Sequence, residues 1–354
     1  MKIAIIHDYF DKKGGGERLV LNLAKALNAD IITAFVDYGK TFEDAKQNKI
    51  IQISNAKKLP ISLLREKLWK FFEQYDYPKY DFYIFSGVWC ISAAKKLHPN
   101  LLYLHTPPRH LYDLREYNLS KMKPVQKQLA SIVIKKWTKK DQECIKNIDR
   151  ICANSKNVKE RIKKYYGEEL YNKTSVVYTG FDTKKYKWKK NKGFYLSPHR
   201  LDLLKRIDIA IEAFKKMPGK SLVITGTGPD ESRLKQLAKG AKNIEFMGSV
   251  DEKTLIELYS TCIATISANK DEDLGLVPLE THASGKPSLA VKEGAFEETI
   301  NKNNGLFFEP NTYSLMEAIN KCERTTWDYK KIRNTAQIYD IKNFTKRIKA
   351  VLNK

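Results

Sequence analysis

Glu272 and Glu280 flank a glycine in the run Glu272-Asp273-Leu274-Gly275-Leu276-Val277-Pro278-Leu279-Glu280. Gly275 permits backbone to approach a ligand closely. A helix beginning near Leu276 would aim the free N–H groups of Leu276 and Val277 at an anion. Glu280 then lies about one turn inside that helix, and Glu272 lies in the loop before it. The chemistry such a segment can do is to hold a phosphate at a helix start, with hydroxyl-binding carboxylates on either side. Alone, the spacing also fits two solvated acids around a turn. Arg200 and Lys205 bracket another turn into a helix. Two cations there can neutralise charge developing on a leaving group, although a solvated basic helix start reads the same way. His105, in Leu104-His105-Thr106-Pro107-Pro108-Arg109, could orient or polarise a hydroxyl; a lone histidine at a strand end is also often structural. The run Gly14-Gly15-Gly16-Glu17 opens a helical pattern and suits close backbone approach, or is simply a flexible turn.

Several other motifs are incomplete. The glycine run is neither G-x-G-x-x-G nor a Walker loop. Thr225-Gly226-Thr227-Gly228-Pro229 lacks the third glycine of a dinucleotide fingerprint. Asp271-Glu272-Asp273 has the form of a D-x-D metal motif, but Glu272 belongs to the paired-carboxylate segment and no histidine or further acid cluster completes a site. No metal is expected.

The elements that must position these residues alternate along the chain. Short β-branched runs predict strands at Lys2–His7, Ile31–Phe35, Phe82–Ser86, Leu101–His105, Arg150–Asn154 and Ser175–Tyr178. A second series follows at Gly193–Leu196, Ser221–Thr225, Ile244–Met247, Ala264–Ser267, Ser288–Ala290 and Gly305–Phe307. Amphipathic spacing predicts helices between them, among them Glu17–Leu27, Ser155–Tyr166, Ile207–Lys216 and Glu252–Ser260. Alternation of this kind implies an α/β fold, with parallel sheets covered by helices on both faces. Two series imply two doubly wound domains, with the lysine-dense stretch Thr179–Lys192 as the linker. In open α/β sheets ligands bind beyond the carboxyl ends of the strands, which is where His105, Arg200 and Glu272 fall.

At 354 residues the chain is long enough for two such cores. Its start, Met1-Lys2-Ile3-Ala4-Ile5-Ile6-His7, reads as a buried strand rather than a secretory leader. No apolar run reaches membrane-spanning length. Five scattered cysteines without C-x-x-C spacing fit a reducing cytosol and exclude a disulfide framework. The formal charge of +23 attracts anionic partners, or reflects nothing more than a lysine-rich composition. Nucleic acid is not expected, because zinc-finger spacing and RRM-type aromatics are both missing.

Taken together, these residues resemble the family-4 glycosyltransferases of the GT-B fold. The resemblance runs through Gly14-Gly15-Gly16-Glu17, the His105 loop and Ile151-Cys152-Ala153-Asn154-Ser155. It continues through Arg200 and Lys205, Val223-Ile224-Thr225-Gly226-Thr227-Gly228, Phe246-Met247-Gly248-Ser249-Val250, and the Glu272–Glu280 motif with its Ala283-Ser284-Gly285-Lys286-Pro287 tail. The stretch from His105 to Asp113 and the run Asn154–Gly167 look most like the mannosyltransferase branch. There are departures: Ser197-Pro198-His199 stands where the family commonly has a glycine, Leu274 replaces a usual Phe, and His282 a usual Met.

The resemblance implies two Rossmann-like domains facing across a cleft. These would be an acceptor-binding domain, 1–182, onto which a helix within 339–354 returns, and a nucleotide-sugar-binding domain, 183–338. It implies retaining, metal-independent transfer of a hexose, mannose favoured, from a nucleotide sugar, GDP favoured over UDP. The acceptor would be a saccharide or lipid-linked saccharide. Arg200 and Lys205 would hold the diphosphate, with the Leu276 and Val277 amides assisting. Glu280 would bind the ribose and Glu272 the transferred sugar. Gly15 and Gly16 would approach the diphosphate or sugar, the base would rest against Gly248 and Val250, and His105 would act in catalysis. Two rivals share parts of this pattern: a sugar-nucleotide 2-epimerase of the same fold, and a non-enzymatic basic protein binding nucleic acid or membrane.

Two stretches pair apolar spacing with lysine and arginine. Ile61–Phe72 carries Leu64, Leu68, Phe71 and Phe72. Lys121–Lys140 carries Leu129, Ile132, Val133 and Trp137 among seven lysines. Each is either core with a solvated face or a basic amphipathic helix for an anionic membrane surface. The expected location is therefore cytoplasmic, with peripheral attachment to the inner face of a membrane as an open alternative.

Overall fold

The computed structural model describes residues 1–54 and 61–353. The chain divides into two compact units. The first is Met1–Gly180 with the chain from Phe344 onward, and the second is Phe181–Asn343.

In the first unit, runs such as Ile3-Ala4-Ile5-Ile6 and Leu101-Leu102-Tyr103-Leu104 are apolar at every position, as strands covered on both faces must be. They form β1 (Ile3–His7), β2 (Asp30–Thr33), β3 (Ile50–Gln52), β4 (Phe82–Ser86), β5 (Asn100–Leu104), β6 (Arg150–Ala153) and β7 (Thr174–Val176). These pair in parallel in the order β3-β2-β1-β4-β5-β6-β7. The strand β3 was not foreseen: it is a three-residue edge strand too short to show a period. In the second unit, β8 (Phe194–Pro198), β9 (Ser221–Thr225), β10 (Ile244–Gly248), β11 (Thr265–Ser267), β12 (Ser288–Val291) and β13 (Gly305–Phe308) make a parallel sheet ordered β10-β9-β8-β11-β12-β13. Sequence order reverses between β1 and β4 in one sheet and between β8 and β11 in the other. Each reversal opens a crevice at the strand ends, where ligands bind in this architecture.

Helix starts follow capping chemistry. Ser155 accepts the Val158 amide ahead of the helix Lys156–Tyr166, and Asp251 accepts the Thr254 amide ahead of Glu252–Thr261. The last helix, Ile341–Leu352, carries Phe344 to a fully buried position, edge-on to Tyr103 at 6.2 Å. Arg150 donates to its final carbonyls, Val351 O at 3.0 Å and Leu352 O at 2.9 Å, satisfying acceptors that have no partner inside the helix.

One reading of the sequence is corrected. The stretch expected to be a linker is docked on the second unit from Phe181 onward. Phe181 bonds to Tyr339 O, Thr183 Oγ1 donates to Asp340, and Tyr186 is buried. The aromatic residues set between its lysines hold it down. The helix Ile61–Gln74 takes the first of the two readings open to it, a core element: Leu68, Trp69 and Phe72 are buried, and its lysines are a solvated face.

His282, in the helix Leu276–Ala283, is 1% exposed and shares a 3.1 Å hydrogen bond between Nε2 and Ser288 Oγ. Burial pushes its pKa down to about 3. An unfolded histidine takes up a proton near pH 6.5. The stabilising effect of the neutral buried ring is therefore complete above that pH, and it is lost as pH falls toward the folded value. His282→Met should abolish about 2 kcal/mol of the stability that the parent loses between pH 7 and pH 5. Denaturant melts at both pH values check this, and equal losses in parent and variant would refute it.

Candidate functional site

The strongest constellation lies in the second unit, at the β8/β11 reversal. β8 delivers His199, Arg200 and the short turn Leu203–Lys205, and β11 delivers Asn269 and Glu272. Lys205 Nζ lies 2.8 Å from Glu272 Oε2, and both side chains are mostly buried. Asn269 Nδ2 donates to the same oxygen. Burial pushes the Glu272 carboxyl up, but Lys205 and then Asn269 outweigh it and hold it below the usual carboxylate range. His199 is buried, with Nε2 donating to Ile266 O at 3.1 Å. Burial and the neighbouring Lys205 lower its pKa to about 4, so it pins the loop as a neutral ring. Pro198 and His199 precede Arg200, and beyond them the Lys205–Glu272 contact is made. Arg200 is different: its side chain is 67% exposed and its nearest carboxylate, on Asp202, lies 3.8 Å away. That leaves its guanidinium near the strand ends without a firm ion pair.

The helix Leu276–Ala283 begins directly after Gly275, whose φ is +79°. A Cβ there would stand 2.5 Å from the Phe296 ring, so only glycine makes this turn. The amides of Leu276 and Val277 are in the first turn, where no helical partner exists. Glu280, one turn on, receives the hydroxyls of Tyr186 at 3.0 Å and Tyr259 at 2.7 Å, one on each carboxylate oxygen. Gly248 closes β10 at φ +65°, and its carbonyl accepts the Gly226 amide at 2.7 Å. Val250 follows in the turn before the helix Glu252–Thr261. The structure thus brings Lys205 and Glu272 into contact, while Glu280 is held separately by its two tyrosines. Among the described residues no group of three or more metal-ligating side chains stands together.

In the first unit, His105 follows β5, and its Nε2 lies 3.0 Å from Ser86 Oγ at the end of β4. Burial, and then the neighbouring His7, lower its pKa to about 4, so the imidazole is neutral near pH 7. Ser86 holds a second imidazole, because His7 Nδ1 donates to its carbonyl. Asp8 accepts the amides of Val88, Trp89 and Cys90 at 2.7, 2.9 and 2.8 Å, fixing the loop after β4. The helix Gly15–Leu27 starts beside this cluster. A Cβ on Gly16 would stand 3.8 Å from His105 Cε1 and Nε2, an ordinary contact. Crowding by the fold does not require glycine at this position, and the bare backbone leaves room for a ligand.

Sequence reasoning missed Asn269, Tyr186, Tyr259, Ser86 and Asp8. Only Asp8 gave a signal, as a carboxylate at the end of the first predicted strand.

The chain matches two family models in succession: "Glycosyltransferase Family 4" over residues 13–185 and "Glycosyl transferases group 1" over 179–338. It is 24% identical to the alpha-1,3/1,6-mannosyltransferase ALG2 of Dictyostelium discoideum, with 91% of this chain and 89% of that protein covered. It is 32% identical to a GDP-mannose-dependent phosphatidylinositol monomannoside mannosyltransferase of Corynebacterium glutamicum, over 26% of each chain. Five curated relatives, that one included, are matched over only 14% to 37% of their own length. Among solved structures, the Anabaena protein HepE in complex with UDP-glucose superposes with a TM-score of 0.77 at 18% identity, with 100% of both chains covered. The two matched models place the chain among the family-4, group-1 glycosyltransferases, and the likeness to solved structures is that of the GT-B fold.

Proposed function

We propose that this chain is a retaining, metal-independent hexosyltransferase. It moves a hexose, mannose favoured, from a nucleotide sugar to a saccharide or lipid-linked saccharide on the cytoplasmic side of a membrane. The observation that carries this reading is the Lys205–Glu272 pair at the β8/β11 reversal, set just before the turn into the Leu276–Ala283 helix. A cation, a carboxylate and unpartnered helix amides at one strand end are what a sugar diphosphate requires.

The roles follow from chemistry. Lys205 and Arg200 meet the diphosphate and stabilise the charge that grows on it as the sugar–phosphate bond breaks. The Leu276 and Val277 amides add donors at the helix start. Glu272 accepts hydroxyls of the transferred hexose. Glu280, already oriented by Tyr186 and Tyr259, accepts the ribose hydroxyls with its remaining lone pairs. Gly248 and Val250 border the base. Gly15 and Gly16 give close backbone approach to the diphosphate or sugar, and neutral His105 orients a sugar hydroxyl. The new glycosidic bond forms as the phosphate departs with the bonding electrons, and the acceptor proton leaves with it. No enzymic nucleophile is assigned. The cations take the part that a divalent metal plays elsewhere. GDP is favoured over UDP because mannosyltransferase relatives whose names state the donor are GDP-mannose-dependent. HepE, whose fold is shared, was solved with UDP-glucose, which makes UDP the comparison arm.

Lys205→Ala and Arg200→Ala should each lower turnover by about 10²- to 10³-fold, the usual loss when one donor to a developing charge is removed; Arg200→Ala, at an exposed side chain, should leave the melting temperature close to the parent's, whereas Lys205→Ala should lower it by leaving Glu272 uncompensated. Near-parental rates in both variants would refute the site. Glu280→Gln should weaken nucleotide binding more than it lowers turnover, read as Kd by calorimetry against kcat.

In a thermal-shift series GDP-mannose should stabilise the chain more than UDP-glucose does. Nucleotide release should then require an acceptor and survive EDTA. An isomerised nucleotide sugar formed without acceptor would establish the 2-epimerase, and loss of activity with EDTA would overturn the metal-free mechanism.

A further inference from the structure

The helix Pro124–Ile145 is packed along only part of its length. In its C-terminal half Trp137 meets Trp69 at 5.4 Å and Trp89 at 5.1 Å, Asp141 receives the hydroxyls of Tyr112 and Tyr166, and Ile145 is buried. In its N-terminal half large aliphatic side chains face outward: Val125 is 71% exposed, Leu129 61%, Ile132 63% and Val133 51%. Met122, just before the helix, is also exposed. Spacings of three and four residues put all of these in one row. That row lies roughly a third of a turn around the helix from the Trp137–Asp141–Ile145 row that enters the core. The unit's packing does not use it. Single exposed apolar residues are ordinary, but a contiguous row marks an interaction surface.

The charges around the row are one-sided. From Tyr117 to Lys140 there is no acidic residue, and there are seven lysines. Lys136 and Lys140 approach Glu66 at 3.6 and 3.8 Å, and Lys139 approaches Glu143 at 3.9 Å. Among the described residues, Lys121, Lys123, Lys127 and Lys135 form no ion pair. Lys121 instead lies over the Tyr117 ring at 3.9 Å.

The composition points to the partner. Protein interfaces are enriched in aromatic residues and arginine and depleted in lysine. This surface is aliphatic and lysine-bearing, and it is convex, being the outer side of a single helix. A ridge about 16 Å long (Met122 to Val133 at helical rise) in a segment whose other faces carry unpaired lysines suits a helix lying flat at the boundary between headgroups and acyl chains. We propose that the Met122–Val133 segment docks the chain on an anionic membrane leaflet, with its aliphatic ridge in the acyl boundary and its lysines among the headgroups. This deepens the proposed function by naming where a lipid-linked acceptor would be met, and it rests on that reading only for the acceptor. The test below reads binding alone, so its failure would leave the transferase assignment standing.

The experiment is co-sedimentation of the full chain with vesicles of phosphatidylcholine, with and without phosphatidylglycerol. The parent should bind the anionic vesicles far better, and added salt should weaken that binding. Lys123→Gln and Lys127→Gln should each lower the partition coefficient about fivefold. Leu129→Asp with Ile132→Asp should lower it more than tenfold with no loss of melting temperature, because both side chains are already in water. Equal binding of parent and ridge variant, or no preference for anionic vesicles, would overturn the proposal. Sedimentation velocity supplies the other decisive outcome. A parent dimer that the ridge substitutions convert to monomer would make this face a contact between two copies and would overturn membrane docking.

Discussion

The Lys205–Glu272 contact is the interaction on which the rest of the second unit's strand-end geometry depends. It joins the loop after β8 to the loop after β11, across the point where strand order reverses. Both side chains are largely withdrawn from water, so each charge needs the other: removing one member of such a pair leaves the second uncompensated. The surrounding groups serve that contact. Asn269 donates to the same carboxylate oxygen, and His199 remains neutral and ties its loop to β11 through the Ile266 carbonyl. Gly294 must be glycine because a Cβ would stand 2.5 Å from the Glu272 carbonyl oxygen. Arg206, at φ +46°, turns the chain from Lys205 into the next helix and pairs with Glu293 at 2.7 Å, and Glu293 also receives the Asp271 amide. The cation is therefore presented by a braced loop rather than by a free side chain. An incoming anion would be met at little reorganisation cost.

The first unit makes the corresponding link through side-chain hydrogen bonds to backbone. Its reversal lies between β1 and β4, and there the link is His7 donating to the Ser86 carbonyl, with Asp8 gathering three amides of the following loop. The Ser86 hydroxyl meets His105 at the same place. The second unit thus sets an ion pair at its reversal, and the first sets an imidazole–hydroxyl contact there.

How much of this was legible in the sequence depended on range. Apolar runs showed twelve of the thirteen strands among the described residues, most plainly where a strand is buried on both faces. The missing one, Ile50–Gln52, is three residues long at an edge. Arg200, Lys205, Glu272 and Glu280 were legible through their resemblance to a family and through position at strand ends, not through any local force. What held them was not legible. Tyr186 and Tyr259 meet Glu280 from 94 and 21 residues away, and a tyrosine carries no sequence mark that says which carboxylate it will orient. The linker was misread for a related reason. Lysine density hid the alternating Tyr186 and Trp188, and it is the aromatic residues that decide where that strand of chain lies.

The charge of +23 is best understood by where the lysines find partners. In the Phe181–Gly193 stretch, Lys185 reaches Glu252 at 2.7 Å, and Lys189 reaches Glu257 at 2.5 Å with Lys192 near the same carboxylate. Lys286, 4% exposed, donates to the Lys189 carbonyl. Those lysines pin chain to chain, and the charges of Lys185, Lys189 and Lys192 are met by Glu252 and Glu257. Between Tyr117 and Lys140 the acids are missing, so the charge of Lys121, Lys123, Lys127 and Lys135 stays uncancelled in a segment that also carries a row of exposed aliphatic side chains. The same residue type is structural in one stretch and outward-facing in the other. Composition alone cannot separate the two, because the distinction rests on whether a glutamate stands within reach on the neighbouring element.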